Sequence, residues 1–167
     1  NGSKKHTIPD SIEGWSNAVG LLVSSYFEQD ELFPEYQGKN VTFDYSEIRP
    51  AGSFLNSSGG KAPGPEPLKN ALVNIKKILD KALRNLEFCQ GEGRRLEPIE
   101  AYDIVMYSAD AVISGWVRRS ATICLFSPDD ENMAKAKTGS WFVENPQRGR
   151  SNNSAILLRD ETTKKQF

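Results

Sequence analysis

The sequence predicts an α/β fold in which amphipathic helices alternate with short strands along 167 residues. Apolar residues recur every three or four positions in three separate stretches, which is the period of a helix. The stretch "VTFDY", residues 41–45, alternates apolar and polar side chains as a half-buried strand does. A β-branched and apolar run, "ATICLF", follows at residues 121–126. This length corresponds to one domain with a sizeable core.

The first predicted helix lies in "IPDSIEGWSNAVGLLVSSYF". Asp10 is a favourable N-cap, and Glu13, three residues later, can complete a capping box. The apolar face consists of Trp15, Val19, Leu22 and Tyr26. A polar loop at residues 29–40 then leads to the strand "VTFDY".

Residues 48–67, "IRPAGSFLNSSGGKAPGPEP", predict a long loop, and loops of this length are usually functional or disordered. The loop does not have the spacing of a Walker A motif, and Ala62 follows its lysine where that motif needs a hydroxyl. Its cations, Arg49 and Lys61, could face the same anion as Arg118. Two amphipathic helices are expected next, one from Leu68 to Leu86 and one that begins near Pro98.

The turn between the second of these helices and the strand at 121–126 contains two adjacent arginines, Arg118 and Arg119. They could pair with surface carboxylates, which is the commoner role of such a pair. They could also bind a phosphate, since a guanidinium group matches phosphate oxygens bidentately. The residues alone leave both interpretations open.

In the last part of the chain, Ser127 is expected to cap a short helix in "PDDENMAKAK". Residues 140–154 predict a loop with a possible strand at its front, followed by a strand in "AILL". We expect the final "RDETTKKQF" to be a helix that is cut off, so that the chain is a piece of a longer one. Asn152 and Asn153 could read a base or a sugar, although a role in a turn is favoured.

The composition excludes several classes of function. A net charge of −1 argues against a broad nucleic-acid or anionic-membrane surface. No apolar run approaches the roughly 20 residues that span a bilayer. Cys89, Cys124 and a single histidine, His6, do not suggest a disulfide framework, a metal site or a histidine-dependent catalytic arrangement. A cytoplasmic protein with no metal is therefore expected.

Six motifs carry a resemblance to a known family: "IPDSIEGW", "FDYSEIRPAGS", "GGKAPGPEPL", "EAYDIVM", "VRRSATICLFSPDD" and "NPQRGRSNNSA". Together, and in the same order, they resemble the central region of adenosylcobalamin-dependent (class II) ribonucleotide reductases. The resemblance implies part of a ten-stranded α/β barrel. It also implies an enzyme that replaces the ribose 2′-hydroxyl with hydrogen by radical chemistry, for which the cofactor generates the radical.

The resemblance divides the single segment 1–167 into three parts. Residues 8–66 would hold a helix, a strand and the first specificity loop of a site for a regulatory deoxynucleoside triphosphate (dNTP). Residues 67–126 would hold a helical pair, the second specificity loop and a strand. Residues 127–167 would hold a helix, a loop, a strand and a truncated helix.

The resemblance implies roles for named residues. Asp10 would bind the deoxyribose hydroxyl of the effector and Arg49 its phosphates, with Lys61 as a further phosphate partner. The full effector-binding set is Asp10, Ser11, Arg49, Gly52 and Lys61. The second loop, between effector and ribonucleotide substrate, is Ser114, Gly115, Trp116, Val117, Arg118, Arg119 and Ser120. Asn152 and Asn153 are possible substrate-side residues.

Trp116 departs from the family, whose members usually carry glycine or another small or modest polar residue there. We hypothesise that this indole alters or weakens the coupling between effector and substrate, because it restricts the dihedral choices of the loop and fills space that a base needs.

The family's catalytic motifs are missing, because Cys89 and Cys124 do not lie in the contexts of its radical and redox cysteines. No catalytic residue is therefore expected, and the isolated chain is predicted to be inactive. Adenosylcobalamin would bind the full-length parent and not this segment alone. The expected partners are the rest of the reductase chain or a second subunit, with self-association through open strand edges. The alternative is a free-standing or decayed nucleotide-binding or interaction module.

Overall fold

The computed structural model describes residues 2–27, 31–55, 59–83, 95–114 and 121–164. In chain order its elements are β1 (Ser3–Thr7), α1 (Ile12–Ser24), a 3-10 turn (Pro34–Tyr36), β2 (Asn40–Asp44), α2 (Glu66–Leu83), α3 (Pro98–Ile113), β3 (Thr122–Phe126), α4 (Glu131–Ala134), α5 (Trp141–Glu144), a 3-10 segment (Pro146–Arg150) and β4 (Ser151–Ala155). These strands form two separate parallel pairs, β1–β2 and β3–β4. A mixed helix and strand architecture is confirmed, whereas the ten-stranded barrel is not.

Strand β1 was not predicted, because "SKKHT" shows no apolar alternation. It is a strand because it pairs in parallel with β2, in a register that aligns Lys4 with Val41 and His6 with Phe43. The ladder is extended by a hydrogen bond from the Ile8 amide to the Asp44 carbonyl, at 2.9 Å. Pairing across about 37 positions is a tertiary effect that local pattern does not contain.

The main core lies between α1, α2 and the first sheet. The buried side of α2 consists of Leu68, Ala71, Leu72, Ile75, Leu79, Ala82 and Leu83. Their spacing of three and four residues confirms the predicted helix, whose expected last apolar residue, Leu86, lies outside the described residues. Burying each leucine or isoleucine contributes roughly 1.5–3 kcal/mol. Helix α2 is therefore the main apolar support of this half of the molecule.

The predicted caps of two helices were wrong. Helix α1 is capped by Ser11, whose Oγ accepts a hydrogen bond from the Gly14 amide at 2.9 Å. Asp10 lies one residue outside the cap and pairs with Arg49 instead. Helix α4 is capped by Asp130, and not by Ser127, because the chain makes one further turn before the helix begins.

The C-terminal predictions also need correction. The front of the segment 140–154 is the helical turn α5, not a strand. The strand is Ser151–Ala155, so the prediction of "AILL" is displaced by about four residues. Residues 159–164 contain a turn, in which the Thr162 amide donates to the Leu158 carbonyl at 2.9 Å, and no helix was found in them. The apolar run was misread because β4 is fixed by polar side chains that contact α3.

The second sheet has two different faces. Cys124 and Phe126 on β3 pack towards a cluster of Tyr102, Met106 and Met133. The alternate residues Ile123 and Leu125 point away and are 68% and 61% exposed. An apolar sheet face of this kind is normally covered by another element.

Protonation of His6 is expected to destabilise the first sheet. Its Nδ1 lies 2.9 Å from the Tyr36 hydroxyl, and its buried Nε2 has no hydrogen-bond partner within the described ranges. Burial, and secondarily the charge of Lys4, lower the pKa of His6 below 6.5. Since the unfolded chain then binds more protons, the stabilisation is complete above pH 6.5 and is lost as the pH falls towards the lowered pKa.

Urea unfolding at a series of pH values between about 7.5 and 5 would measure this loss. The variant His6→Gln should show a flatter dependence over the same window. Equal slopes for the two proteins would contradict the assignment to His6.

Candidate functional site

Two of the predicted site residues meet at one edge of the first sheet. Asp10 follows β1 and Arg49 follows β2, and the parallel pairing brings both connections to the same carboxyl edge. Arg49 Nε donates to Asp10 Oδ2 at 2.5 Å. The side chains are 41% and 29% exposed, so a ligand can reach both. Carboxyl edges of parallel strands are common places for ligand binding.

The Arg49–Asp10 pair leaves hydrogen-bonding groups of both side chains available for a ligand. Arg49 uses only its Nε in this contact, and its two terminal nitrogens have no partner among the described residues. They form the part of a guanidinium group that binds phosphate oxygens. Asp10 Oδ1 is likewise available as an acceptor for a hydroxyl group. Ser11 lies beside this pair, with its hydroxyl accepting the capping hydrogen bond.

The predicted first specificity loop is a hairpin that begins beside Arg49. The Gly52 amide donates to the Ala62 carbonyl at 2.9 Å, and the Ala62 amide donates to the Ser53 carbonyl at 2.7 Å. Gly52 has a φ of +87°, which favours glycine at this turn. Lys61 lies on the returning arm, opposite Phe54, and is exposed. Residues 56–58, at the tip, lie outside the described residues.

The predicted second loop can be followed only at its first residue. Ser114 is the C-cap of α3, and its Oγ donates to the Ala111 carbonyl at 2.6 Å. Gly115, Trp116, Val117, Arg118, Arg119 and Ser120 lie outside the described residues. The convergence of Arg118 with Arg49, and the effect of Trp116, therefore stay predictions.

The two asparagines of β4 differ in their surroundings. Asn153 Oδ1 accepts hydrogen bonds from the Tyr102 hydroxyl at 3.1 Å and from Ser151 Oγ at 2.7 Å. This contact joins β4 to α3. Asn152 is exposed, so it is the one of the two that can reach a ligand without breaking that contact.

A buried ion pair was missed by the sequence analysis. Arg148 binds Asp103 with Nη2–Oδ2 and Nε–Oδ1 distances of 2.7 Å and 2.9 Å. The remaining guanidinium nitrogen of Arg148, Nη1, donates to the Ala136 carbonyl at 2.8 Å. The hydrogen bonds to Asp103 raise the pKa of Arg148. No local pattern marks this pair, because its members are 45 positions apart.

Cys124 lies on the covered face of β3. Burial, with a smaller contribution from Asp130, raises the pKa of this thiol. A raised pKa disfavours the thiolate, which is the reactive form of cysteine. Within the described ranges, no cluster of three or more His, Cys, Asp or Glu side chains is arranged to hold a metal ion.

The helices of the described ranges are too short or too polar to cross a lipid bilayer.

Comparison with known proteins shows what the chain is similar to. Residues 2–79 match the family described as "B12-dependent ribonucleotide reductase, insertion domain". A crystal structure of a B12-dependent (class II) ribonucleotide reductase superimposes on 93% of the chain with a TM-score of 0.71 and 30% sequence identity. The chain covers 19% of that structure.

Curated relatives of the chain are reductases of the same kind. The adenosylcobalamin-dependent ribonucleoside-triphosphate reductase of Lactobacillus delbrueckii subsp. bulgaricus is 35% identical over 152 residues, which are 91% of this chain and 19% of the relative. The reductase of the same name from Lacticaseibacillus paracasei is 33% identical over 150 residues, or 90% of this chain and 18% of the relative. The chain is thus homologous to a segment of the adenosylcobalamin-dependent ribonucleotide reductases, and it spans about a fifth of their length. The resemblance drawn from six motifs is confirmed.

Proposed function

We propose that this chain is the part of an adenosylcobalamin-dependent ribonucleotide reductase that binds a regulatory dNTP. The supporting observation is the contact between Asp10 and Arg49 at the carboxyl edge of the first sheet. These residues are 39 positions apart, and the motifs assign them to the sugar and the phosphates of one ligand.

The chemistry of this edge suits a nucleotide. Asp10 accepts a hydrogen bond from the 3′-hydroxyl of the deoxyribose, and its contact with Arg49 orients the guanidinium. The terminal nitrogens of Arg49 then donate to phosphate oxygens, which is a charge-assisted interaction. Lys61, on the adjoining hairpin, adds a second positive charge. The left-handed conformation of Gly52 belongs to the turn between Arg49 and the outgoing arm of the hairpin, in which the Ser53 amide donates to the Pro50 carbonyl.

We propose that the complete parent reduces ribonucleotides to 2′-deoxyribonucleotides, as the names of the relatives state for those proteins. Cys124, with its raised pKa and its place in an apolar cluster, does not suit the redox chemistry. In this proposal adenosylcobalamin binds to other segments of the parent, and parent segments also cover Ile123 and Leu125.

Isothermal titration of the 167-residue chain with dNTPs tests the effector site. Arg49→Gln is expected to weaken binding about 10- to 100-fold, because it removes charge-assisted hydrogen bonds of roughly 1.5–3 kcal/mol. Arg159→Gln, which changes an exposed arginine of the C-terminal tail, is the matched control and should bind like the wild type. Wild-type affinity in Arg49→Gln would reject the proposal.

A second comparison tests the contact with the sugar. Asp10→Asn should weaken the binding of a dNTP more than the binding of a 2′,3′-dideoxynucleoside triphosphate, because the latter has no 3′-hydroxyl and can lose only the orientation of Arg49. Equal losses for the two ligands would mean that Asp10 acts only by orienting Arg49.

A further inference from the structure

A polar groove lies between the first half of α2 and the last half of α3. Its volume is about 330 Å³, at the lower end of the range for small-molecule sites. It is lined by Pro67, Asn70, Ala71, Asn74, Tyr107, Asp110, Ser114 and Arg150. The residues proposed above to contact the effector, Asp10, Arg49 and Lys61, do not line it, whereas Ser114, the first residue of the predicted second specificity loop, does.

The groove presents hydrogen-bonding groups that the protein does not use. Within the described ranges, the carboxamide of Asn70 and the hydroxyl of Tyr107 have no hydrogen-bond partner. Asn74 uses only its amide nitrogen, which donates to the Asn70 carbonyl at 2.9 Å, and keeps its side-chain oxygen free. Asp110 binds Arg150 through Oδ1 and keeps Oδ2. The groove thus presents both donors and acceptors.

The charges in the groove balance. Asp110 and Arg150 form an ion pair at 2.7 Å and are 47% and 42% exposed. The other lining side chains are neutral. A polyphosphate gains little from such a surface, whereas a neutral ligand with several hydrogen-bonding groups is matched by it.

We infer that the α2–α3 groove binds a purine nucleoside moiety with an adenine-like base, which is a ligand that the proposed effector site does not account for. Asparagine carboxamides pair bidentately with the adjacent N6 donor and N7 acceptor of adenine. The Tyr107 ring offers a surface for stacking, which contributes about 1–3 kcal/mol per base at comparable sites. The free Asp110 oxygen accepts from a ribose hydroxyl, a common role of carboxylates in nucleotide sites. Pro67 and Ala71 supply the apolar lining.

Adenosine, which carries no phosphate, is the probe. Titration of the ¹⁵N-labelled 167-residue chain should give saturable chemical-shift changes at residues of the groove. Asn74→Leu should weaken binding about ten-fold or more, as expected for a lost bidentate pair. Tyr107→Phe removes only a hydroxyl and should weaken it about three- to ten-fold. Tripolyphosphate should leave the groove resonances unchanged.

Asn17→Leu is the matched control, since Asn17 is an exposed asparagine on α1 outside the groove. The inference is overturned if adenosine gives no saturable change, or if Asn17→Leu and Asn74→Leu lose equal affinity. Arg49→Gln should lose dNTP affinity and keep adenosine affinity. The opposite pattern, in which Arg49→Gln loses adenosine and Asn74→Leu keeps it, would reject the groove and leave the effector site standing.

Discussion

Replacing Asp103 by asparagine is expected to lower the free energy of unfolding by about 3–5 kcal/mol, the usual cost of removing one partner from a buried ion pair. Asp103 and Arg148 are only 12% and 13% exposed, and the guanidinium is held by both carboxylate oxygens. The substitution preserves shape and removes the charge, so it leaves Arg148 buried without a counterion. Chemical denaturation followed by circular dichroism would measure the loss.

The same helix provides a matched control. Asp110, seven residues later on α3, forms an ion pair with Arg150, also at 2.7 Å, but it does so through one carboxylate oxygen, and both side chains are more than 40% exposed. Asp110→Asn should therefore cost only about 0–1 kcal/mol, as exposed pairs do. If the two asparagine variants lose equal stability, burial is not what makes the Asp103–Arg148 pair important.

A double variant separates the charge from the packing. Asp103→Leu combined with Arg148→Met removes both charges and should recover much of the stability lost in Asp103→Asn, because apolar replacements of a buried pair are often neutral or stabilising. Recovery of stability in the double variant would indicate that the ion pair is retained because it orients the chain and not because it stabilises the fold. The pair fixes the 3-10 segment before β4 to α3, and this segment ends at Arg150, which lines the groove.

The sequence could predict what depends on local periodicity. The apolar spacing of α2 and α3 placed both helices, and alternation placed β2. It could not predict β1 or the correct bounds of β4, since "SKKHT" and "SNNSA" are polar strands that exist through parallel pairing with distant partners. Nor could it predict the buried contact between Asp103 and Arg148, which no spacing rule connects.

In the candidate site, too, the features that depend on distant partners could not be predicted from local patterns. Nothing in the composition brings Asp10 near Arg49, and only the family resemblance linked them. The cap of α1 shows why local reasoning failed. Asp10 and Ser11 are both good N-cap residues, but Ser11 caps the helix, whereas Asp10 pairs with a tertiary partner, Arg49, beyond the end of β2.

Gly14→Ala is expected to destabilise the chain by about 1–3 kcal/mol, although alanine is the better helix former by about 1 kcal/mol. A Cβ at this position would lie 2.3 Å from the Pro9 carbonyl oxygen and 3.0 Å from its carbon. The backbone of residue 9 must therefore move. That carbonyl accepts the Ser11 amide at 2.9 Å, so its displacement also disturbs the turn that carries Asp10.

Gly20→Ala, one and a half turns further along α1, separates the steric clash from helix propensity. There the added Cβ would lie 2.9 Å from Cε2 of Phe33, a half-buried side chain that can rotate away, and no backbone atom is among its three nearest neighbours. Gly20→Ala should be close to neutral in thermal unfolding, and Gly14→Ala should not. If Asp10 binds the effector, Gly14→Ala should also lose dNTP affinity at temperatures where it is still folded, while Gly20→Ala keeps it. Equal stability of the two alanine variants would show that the segment around Pro9 yields without cost, and the Asp10–Arg49 contact would then not depend on this close approach.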